Sequence, residues 1–263
     1  MSQSKFIKRV LSKFKMSDCN PKAIPCDQSV NKSSPEESPE LTDGTLYRNI
    51  VGSLIYIMTC TRPDLSYIVS KLSQHMAKPS QSHLSMSKFV LKYLKGTENY
   101  SLVFKKSTVP CKVFGYCDSD WGGSTDRRSF CGYCYQMNEH SSPISWKSKK
   151  QSNVALSTCE AEYISLTFAV QEAKFLQQLF TDMIGIQLNP INVFVDNQGA
   201  IELAKNPIHH QRSKHIDICD HFIRNEIQNG NIKLVYVPSS ENRADMFTKP
   251  VTRAKLSYFN VCY

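Results

Sequence analysis

At 263 residues and 41% hydrophobic content, the chain can bury the core of one large domain or two modest ones. Its longest apolar runs, such as residues 52–58, stop far short of the ~20 residues a membrane-crossing helix needs. The opening Met1-Ser-Gln-Ser-Lys-Phe lacks a signal-peptide core, so an intracellular protein without a membrane partner is expected, cytoplasmic or nuclear rather than secreted. The formal charge of +9 is uneven: residues 1–106 hold 16 Lys and Arg against 8 Asp and Glu, and residues 107–263 hold 16 against 15. A basic first part suits a polyanion such as nucleic acid, and suits a solvated lysine-rich face equally well.

In chain order, Phe6, Ile7, Val10, Leu11 and Phe14 recur at helical spacing, which predicts an amphipathic basic helix over about 4–16. Residues 31–44 are polar and punctuated by proline, the composition of a loop or linker. Helical patterns follow at about 45–58, at 63–76 opened by Pro63, and at 80–95 stopped by Gly96. Beyond Gly96 the rhythm changes to short strand-like runs at 100–105, 112–118, 129–137 and 143–149, and we place a domain boundary near residue 107. A long helix at 158–180, a strand at 191–196, a short helix, a helix at 214–228, a strand at 232–237 and a terminal helical stretch complete the pattern. Strands first, then alternating helix and strand, predict an α/β domain with a mixed sheet flanked by helices.

The ten cysteines are scattered through strand-like and helix-like stretches, which favours reduced thiols over a disulfide framework. Cys131 and Cys134 form a C-x-x-C without a second ligand pair, so they read as structural strand residues rather than zinc ligands.

Four acidic residues fall at the ends of predicted elements. Asp118 closes Val113-Phe-Gly-Tyr-Cys-Asp, Glu162 lies in the first turns of the long helix, Asp196 closes Val193-Phe-Val-Asp, and Asp245 stands in Asn242-Arg-Ala-Asp. Any one of them could merely cap a turn. A carboxylate at the end of a hydrophobic strand is costly to desolvate without a partner, however, and two such strand ends suggest an assembled site.

Tyr47-Arg-Asn-Ile-Val-Gly-Ser-Leu-Ile-Tyr, Thr61-Arg-Pro-Asp-Leu, Tyr93-Leu-Lys-Gly-Thr, Cys117-Asp-Ser-Asp-Trp, Ile144-Ser-Trp-Lys-Ser-Lys-Lys-Gln, Ala155-Leu-Ser-Thr-Cys-Glu-Ala-Glu-Tyr, Asp196-Asn-Gln-Gly-Ala, Lys214-His-Ile-Asp and Ala244-Asp-Met-Phe-Thr-Lys occur in that order. With these motifs the chain resembles, over essentially its whole length, the C-terminal part of a copia-type LTR retrotransposon Pol polyprotein. The resemblance implies that residues 1–106 are a mostly helical, thumb- or connection-like remnant of a reverse transcriptase. It further implies that residues 107–263 are a ribonuclease H domain with a five-stranded mixed sheet, located in a virus-like particle when part of an intact element. The upstream polymerase palm, a partner where present, does not occur in this sequence, so no polymerisation is expected of the chain alone.

Carried over residue by residue, the family's metal-binding acids are Asp118, Glu162, Asp196 and Asp245. Asp120 rivals Asp118, because residues two apart in a strand share a face; Asp118 is preferred as nearer the apolar run. The implied cofactor is a pair of Mg²⁺ ions, with Mn²⁺ able to substitute, about 4 Å apart, activating water and stabilising the leaving oxygen. Asp118 and Asp196 would share the ions, Glu162 would hold the leaving-group side and Asp245 the nucleophile side. The implied substrate is an RNA–DNA hybrid cut in its RNA strand to leave a 5′-phosphate.

Selectivity for a hybrid would come from 2′-hydroxyls and groove shape. Ser119, Asn197 and Gln198 are the candidate contacts beside the metals, and Lys147, Lys149, Lys150, Arg212 and Lys214 the candidate phosphate contacts. Trp121 and Trp146 read as packing residues rather than stacking platforms. Relatives of this class often carry a histidine in the loop before the last aspartate. Here Val237-Pro-Ser-Ser-Glu-Asn-Arg-Ala-Asp245 offers Ser239 and Ser240 instead, while His209, His210 and His215 cluster near a helix start.

Two rival readings remain. Integrases share the fold, but their glutamate follows both aspartates, whereas Glu162 lies between Asp118 and Asp196. A catalytically silent, co-opted fragment that binds nucleic acid or protein would need no intact acids. Within Ser157-Thr-Cys-Glu160 the S/T-x-x-E pattern predicts a capping box, with Glu160 reaching back to the Ser157 amide. Residues two apart on a helix point about 200° from each other, so only Glu162 should face the site.

Overall fold

The computed structural model describes residues 1–27, 38–106, 112–205 and 214–259, with side chains in the last segment from His221 onward. The chain divides into two compact units, Met1–Phe104 with Lys249–Tyr263, and Lys105–Thr248. The predicted boundary near 107 lies beside the first division, and the terminal helical stretch groups with the first unit. No described helix is long and apolar enough to cross a membrane.

The first unit is helical: α1 (Ser4–Lys13), α2 (Thr45–Cys60), α3 (Ser66–Ser73), α4 (Gln81–Gly96) and α8 (Arg253–Phe259). Ile7, Val10 and Leu11 bury the apolar stripe of α1, and Tyr47, Ile50, Leu54 and Ile57 that of α2. The helix expected over 63–76 is split, because Pro63 opens a 3-10 turn over Pro63–Leu65 before α3 begins. Ser80 caps α4 in a reciprocal box with His83. Two sequence motifs meet here. The fully buried Arg62 guanidinium binds Asp64 at 2.7 Å and Thr97 at 2.7 Å, and the Tyr93 hydroxyl donates to Asp64 at 2.7 Å.

Residues 100–105, expected as a strand, are not one. The Leu102 amide donates to the Met1 carbonyl and the Met1 amino group to the Leu102 carbonyl, so this backbone is satisfied outside any sheet. In the predicted linker, residues 31–37 lie outside the described residues, while Glu40 bridges to Ser80.

The second unit is α/β. β1 (Phe114–Asp120), β2 (Phe130–Gln136), β3 (Ser145–Lys150), β4 (Ile191–Val195) and β5 (Ile232–Tyr236) form one sheet in the order β3-β2-β1-β4-β5. β1 pairs antiparallel with β2 and parallel with β4; β2–β3 is antiparallel and β4–β5 parallel. The 27-residue α5 (Thr158–Ile184) ends at Gly185 in the left-handed region (φ 68°), a conformation a Cβ disfavours. Its inner face, from Tyr163 through Leu166, Val170 and Ala173, packs on Cys117, Tyr133, Tyr135, Val193 and Val195. α6 (Gln198–Lys205) and α7 (Lys214–Gln228) follow β4. This is the RNase H-like arrangement of a five-stranded mixed sheet with flanking helices.

Cys131 and Cys134 are free and buried. Three apart on a strand, they face opposite sides of the sheet and cannot share a metal. Burial pushes each thiol up to about 12.

Candidate metal centre

Because β1 and β4 run parallel, Asp118 near the end of one and Asp196 just past the end of the other emerge at the same edge of the sheet. α5 begins at that edge too. It is fastened to β1 by the Ser165 hydroxyl, which donates to the Asp118 carbonyl at 2.6 Å, and by the Ser119 amide, which donates to Glu162 Oε1 at 3.2 Å. Carboxylate oxygens of Asp118, Glu162 and Asp196 thereby all lie within 4.8 Å of one another. Asp118 and Glu162 are buried; Asp196 is partly open.

Glu162 Oε2 is buried without a hydrogen-bond partner. Burial, and then the Asp118 and Asp196 charges, hold this carboxyl well above the ordinary carboxylate range. Three converging carboxylates, one of them with a buried oxygen that lacks a hydrogen-bond partner, fit a divalent cation whose charge would offset both costs.

Asp245 lies outside this close group. It is buried in a 3-10 turn, Arg243–Phe247, that packs over β1 and β2. Asn242 caps the turn through the Ala244 amide and donates to the Cys117 carbonyl at 2.9 Å. Thr248, immediately after the turn, donates to the Asp118 carboxylate and lies 3.1 Å from the Asp245 carbonyl. Asp120, the rival for the first position, turns toward the following loop: a Cβ at Gly123 would come within 1.8 Å of its Oδ2.

The capping box at the start of α5 differs from expectation in one half. Ser157 Oγ accepts from the Glu160 amide at 3.1 Å, but Glu160 Oε2 accepts from the Leu156 amide at 2.7 Å rather than from Ser157. With Ser157 extended (φ −149°, ψ 163°), the amide one residue earlier is the donor that Glu160 meets.

The expected nucleic-acid contacts divide. Ser119 is buried beside the acids. Asn197 Oδ1 accepts from the Ala200 amide at 2.9 Å, and Gln198 is exposed at the start of α6. On the edge strand β3, Lys147 shares a face with Lys149, whose ammonium sits 4.7 Å from the Phe168 ring; Lys150 points the other way and pairs with Asp126 at 2.9 Å. His209, His210 and Arg212 lie outside the described residues, as do the side chains of Lys214 and His215. Ser239 and Ser240 stand exposed on the turn after β5. Trp121, expected to pack, is instead half exposed in the loop after β1, with its indole N–H donating to the Ala155 carbonyl at 3.0 Å. Trp146 is half-buried on β3.

Sequence reasoning missed Thr248, Asn242, Ser165 and Gly132, which hold the acids in place. Only Gly132 carried a signal, since glycine inside a strand marks a close approach. A Cβ there would meet Phe247 Cβ at 2.6 Å and Thr248 Cγ2 at 2.8 Å.

The fold and the clustered acids define an RNase H-like domain. The structure of a foamy viral protease–reverse transcriptase in complex with dsDNA shares the fold, with TM-score 0.50 at 11% identity over 81% of this chain and 41% of that one. An RNase H1 isolated from compost aligns at TM-score 0.40 and 16% identity over 52% of this chain and 92% of its own. In sequence, the chain is 41% identical over 98% of its length to the Retrovirus-related Pol polyprotein from transposon RE1 of Arabidopsis thaliana. It is 38% identical over its full length to that from transposon TNT 1-94 of Nicotiana tabacum. It spans 17% and 20% of those polyproteins. No protein-family model matches. The chain belongs to the copia-type retrotransposon Pol polyproteins and corresponds to a C-terminal part of them.

Proposed function

We propose that residues 107–263 constitute a divalent-metal-dependent ribonuclease H that hydrolyses the RNA strand of RNA–DNA hybrids, and that residues 1–106 are the helical end of a reverse transcriptase. The observation that carries this reading is the group of Asp118, Glu162 and Asp196, with oxygens within 4.8 Å and Glu162 Oε2 buried without a partner, on an RNase H-like sheet. Asp118, Glu162 and Asp196 would hold the metal, and Asp245 would join them from the 3-10 turn. When bound, Mg²⁺ or Mn²⁺ would supply Lewis-acid activation of water and of the scissile phosphate. The chain's own part is positional. The sheet edge aims two aspartates, α5 adds the glutamate, and Ser165, Asn242 and Thr248 lock those elements together.

Its substrate, the hybrid, would lie over the edge where the acids emerge, with Ser119, Asn197 and Gln198 nearest the reacting strand. Lys147 and Lys149 would meet phosphates from β3. The upstream palm is the proposed partner within the polyprotein.

The test is cleavage of end-labelled hybrid in Mg²⁺, Mn²⁺ or chelator, with Asp196→Asn as the inactive control. Metal-dependent loss of the RNA strand alone is expected, with Asp196→Asn folded and silent. Cleavage of the DNA strand, cleavage in chelator, or wild-type turnover by Asp196→Asn would overturn the reading.

A further inference from the structure

The alternation that turns Cys117, Val193 and Val195 toward α5 turns Phe114, Tyr116 and Phe194 to the opposite face of the sheet. There the Tyr116 and Phe194 rings stack with centroids 4.9 Å apart and planes inclined by 22°, and Phe114 meets each edge-on at 6.1 and 6.0 Å. All three side chains are partly exposed. They floor an open groove of about 940 Å³ that runs toward the N-terminal ends of β1 and β4, away from the ends that carry the acids. Its rim is cationic. Lys105, Lys112 and Lys233 line it, and the Arg243 guanidinium lies 5.7 Å from the Tyr116 ring centroid; among the described lining residues Glu139 is the one acid.

We propose that this groove binds single-stranded nucleic acid without sequence preference, stacking bases on Phe194 and Phe114 while the lysines meet the phosphates. Flat rings on two adjacent central strands, ringed by like charges, combine the two elements single-strand binding requires: π-faces that any base satisfies, and a backbone-tracking positive field. A duplex keeps its bases stacked inside and offers the floor nothing. An apolar protein segment would leave the cationic rim uncompensated. The groove thus adds a second nucleic-acid site, at the opposite end of the strands from the acidic centre.

The test uses the full chain carrying Asp196→Asn, so that nothing is cut, and fluorescence anisotropy with labelled oligo-dT, oligo-rU and a blunt DNA duplex. Phe114→Leu with Phe194→Leu keeps apolar volume and removes the flat faces. It should weaken both single strands by about ten-fold or more and leave duplex affinity unchanged. Lys112→Gln with Lys233→Gln changes two exposed side chains with little folding risk. It should reduce the slope of log affinity against log salt for single strands by about 1.4, since each phosphate contact on a single strand contributes roughly 0.7. Preferential loss of dT or rU identifies the strand served. With Asp196 restored, both double variants should cut a short hybrid at the wild-type rate. Unchanged single-strand binding and salt slope in the lysine variant would overturn the proposal whatever the fate of the leucine variant. Equal loss of duplex binding in a folded leucine variant would overturn it too.

Discussion

The Thr248 hydroxyl donates to the Asp118 carboxylate while lying 3.1 Å from the carbonyl of Asp245, so one side chain ties the central strand to the turn that carries the last acid. Groups of this kind orient metal ligands without touching the metal. Thr248→Val, nearly isosteric but without the donor, should lower hybrid cleavage by about 10- to 100-fold and raise the Mg²⁺ concentration needed for half-maximal rate, with Thr248→Ser close to wild type. Metal titrations of the three proteins decide it; a Val variant with unchanged rate and metal requirement removes Thr248 from this role.

Gly132 pairs across the sheet with Asp118 and lies beneath Phe247 and Thr248. In Gly132→Ala the new methyl meets Phe247 Cβ and backbone rather than a movable side-chain tip, so the turn must lift. We expect a stability loss of about 1–3 kcal/mol by urea unfolding, and a larger fall in activity than in Thr248→Val because Asp245 moves as well. Wild-type activity in the Ala variant would show that the turn tolerates displacement.

Glu160 and Glu162 should separate cleanly. Glu162→Gln should abolish cleavage and remain folded. Glu160→Gln can still accept from the Leu156 amide and should keep most activity, and Glu160→Ala should lose on the order of 1 kcal/mol of stability. The reverse pattern of activity, with both Gln variants folded by circular dichroism, reassigns the glutamate.

The raised Glu162 pKa makes a prediction about stability without metal. The native state holds this proton to higher pH than the unfolded chain does, so native stability falls as pH rises above the ordinary value of 4.5 toward the folded pKa. In chelator at neutral pH, Glu162→Gln should therefore melt at a higher temperature than wild type, and the difference should shrink as pH approaches 4.5. Mg²⁺ should stabilise wild type and not the variant. Matched melting curves across pH check the sign; a less stable Gln variant at pH 7 in chelator contradicts it.

In the first unit, Asp64 neutralises the wholly buried Arg62 and accepts from Tyr93. Asp64→Asn leaves that guanidinium without its counter-charge and should cost about 3–5 kcal/mol in denaturant unfolding. A loss below 1 kcal/mol would mean that Thr97 and the flanking Tyr93 and Tyr100 rings suffice.

Much of this architecture was readable from local pattern. α7 begins and ends where its periodicity does, β4 terminates beside Asp196, and Ser157 caps α5 as its type requires, whereas β1 runs two residues past Asp118 to Asp120. The failures share a cause. The 100–105 run looks like a strand, but its hydrogen bonds go to Met1; the Glu160 carboxylate chooses Leu156; Trp121 is drawn to a distant carbonyl and left half in solvent. Each was decided by a partner far along the chain or by a backbone angle, neither of which periodicity records. The roles of Thr248 and Asn242 were illegible for the same reason, since nothing local links a residue after the last strand to a carboxylate on the first.

Those two residues reach back 130 and 125 positions, to Asp118 and to the Cys117 carbonyl. During synthesis, β1 and α5 leave the ribosome long before Asn242 and Thr248 exist, so the acids are made early and fixed late. A nascent or prematurely terminated chain that stops short of Thr248 carries three carboxylates without the clasp that sets them. Under the proposed function, the geometry that would hold the metal is therefore completed only once Thr248 has been made.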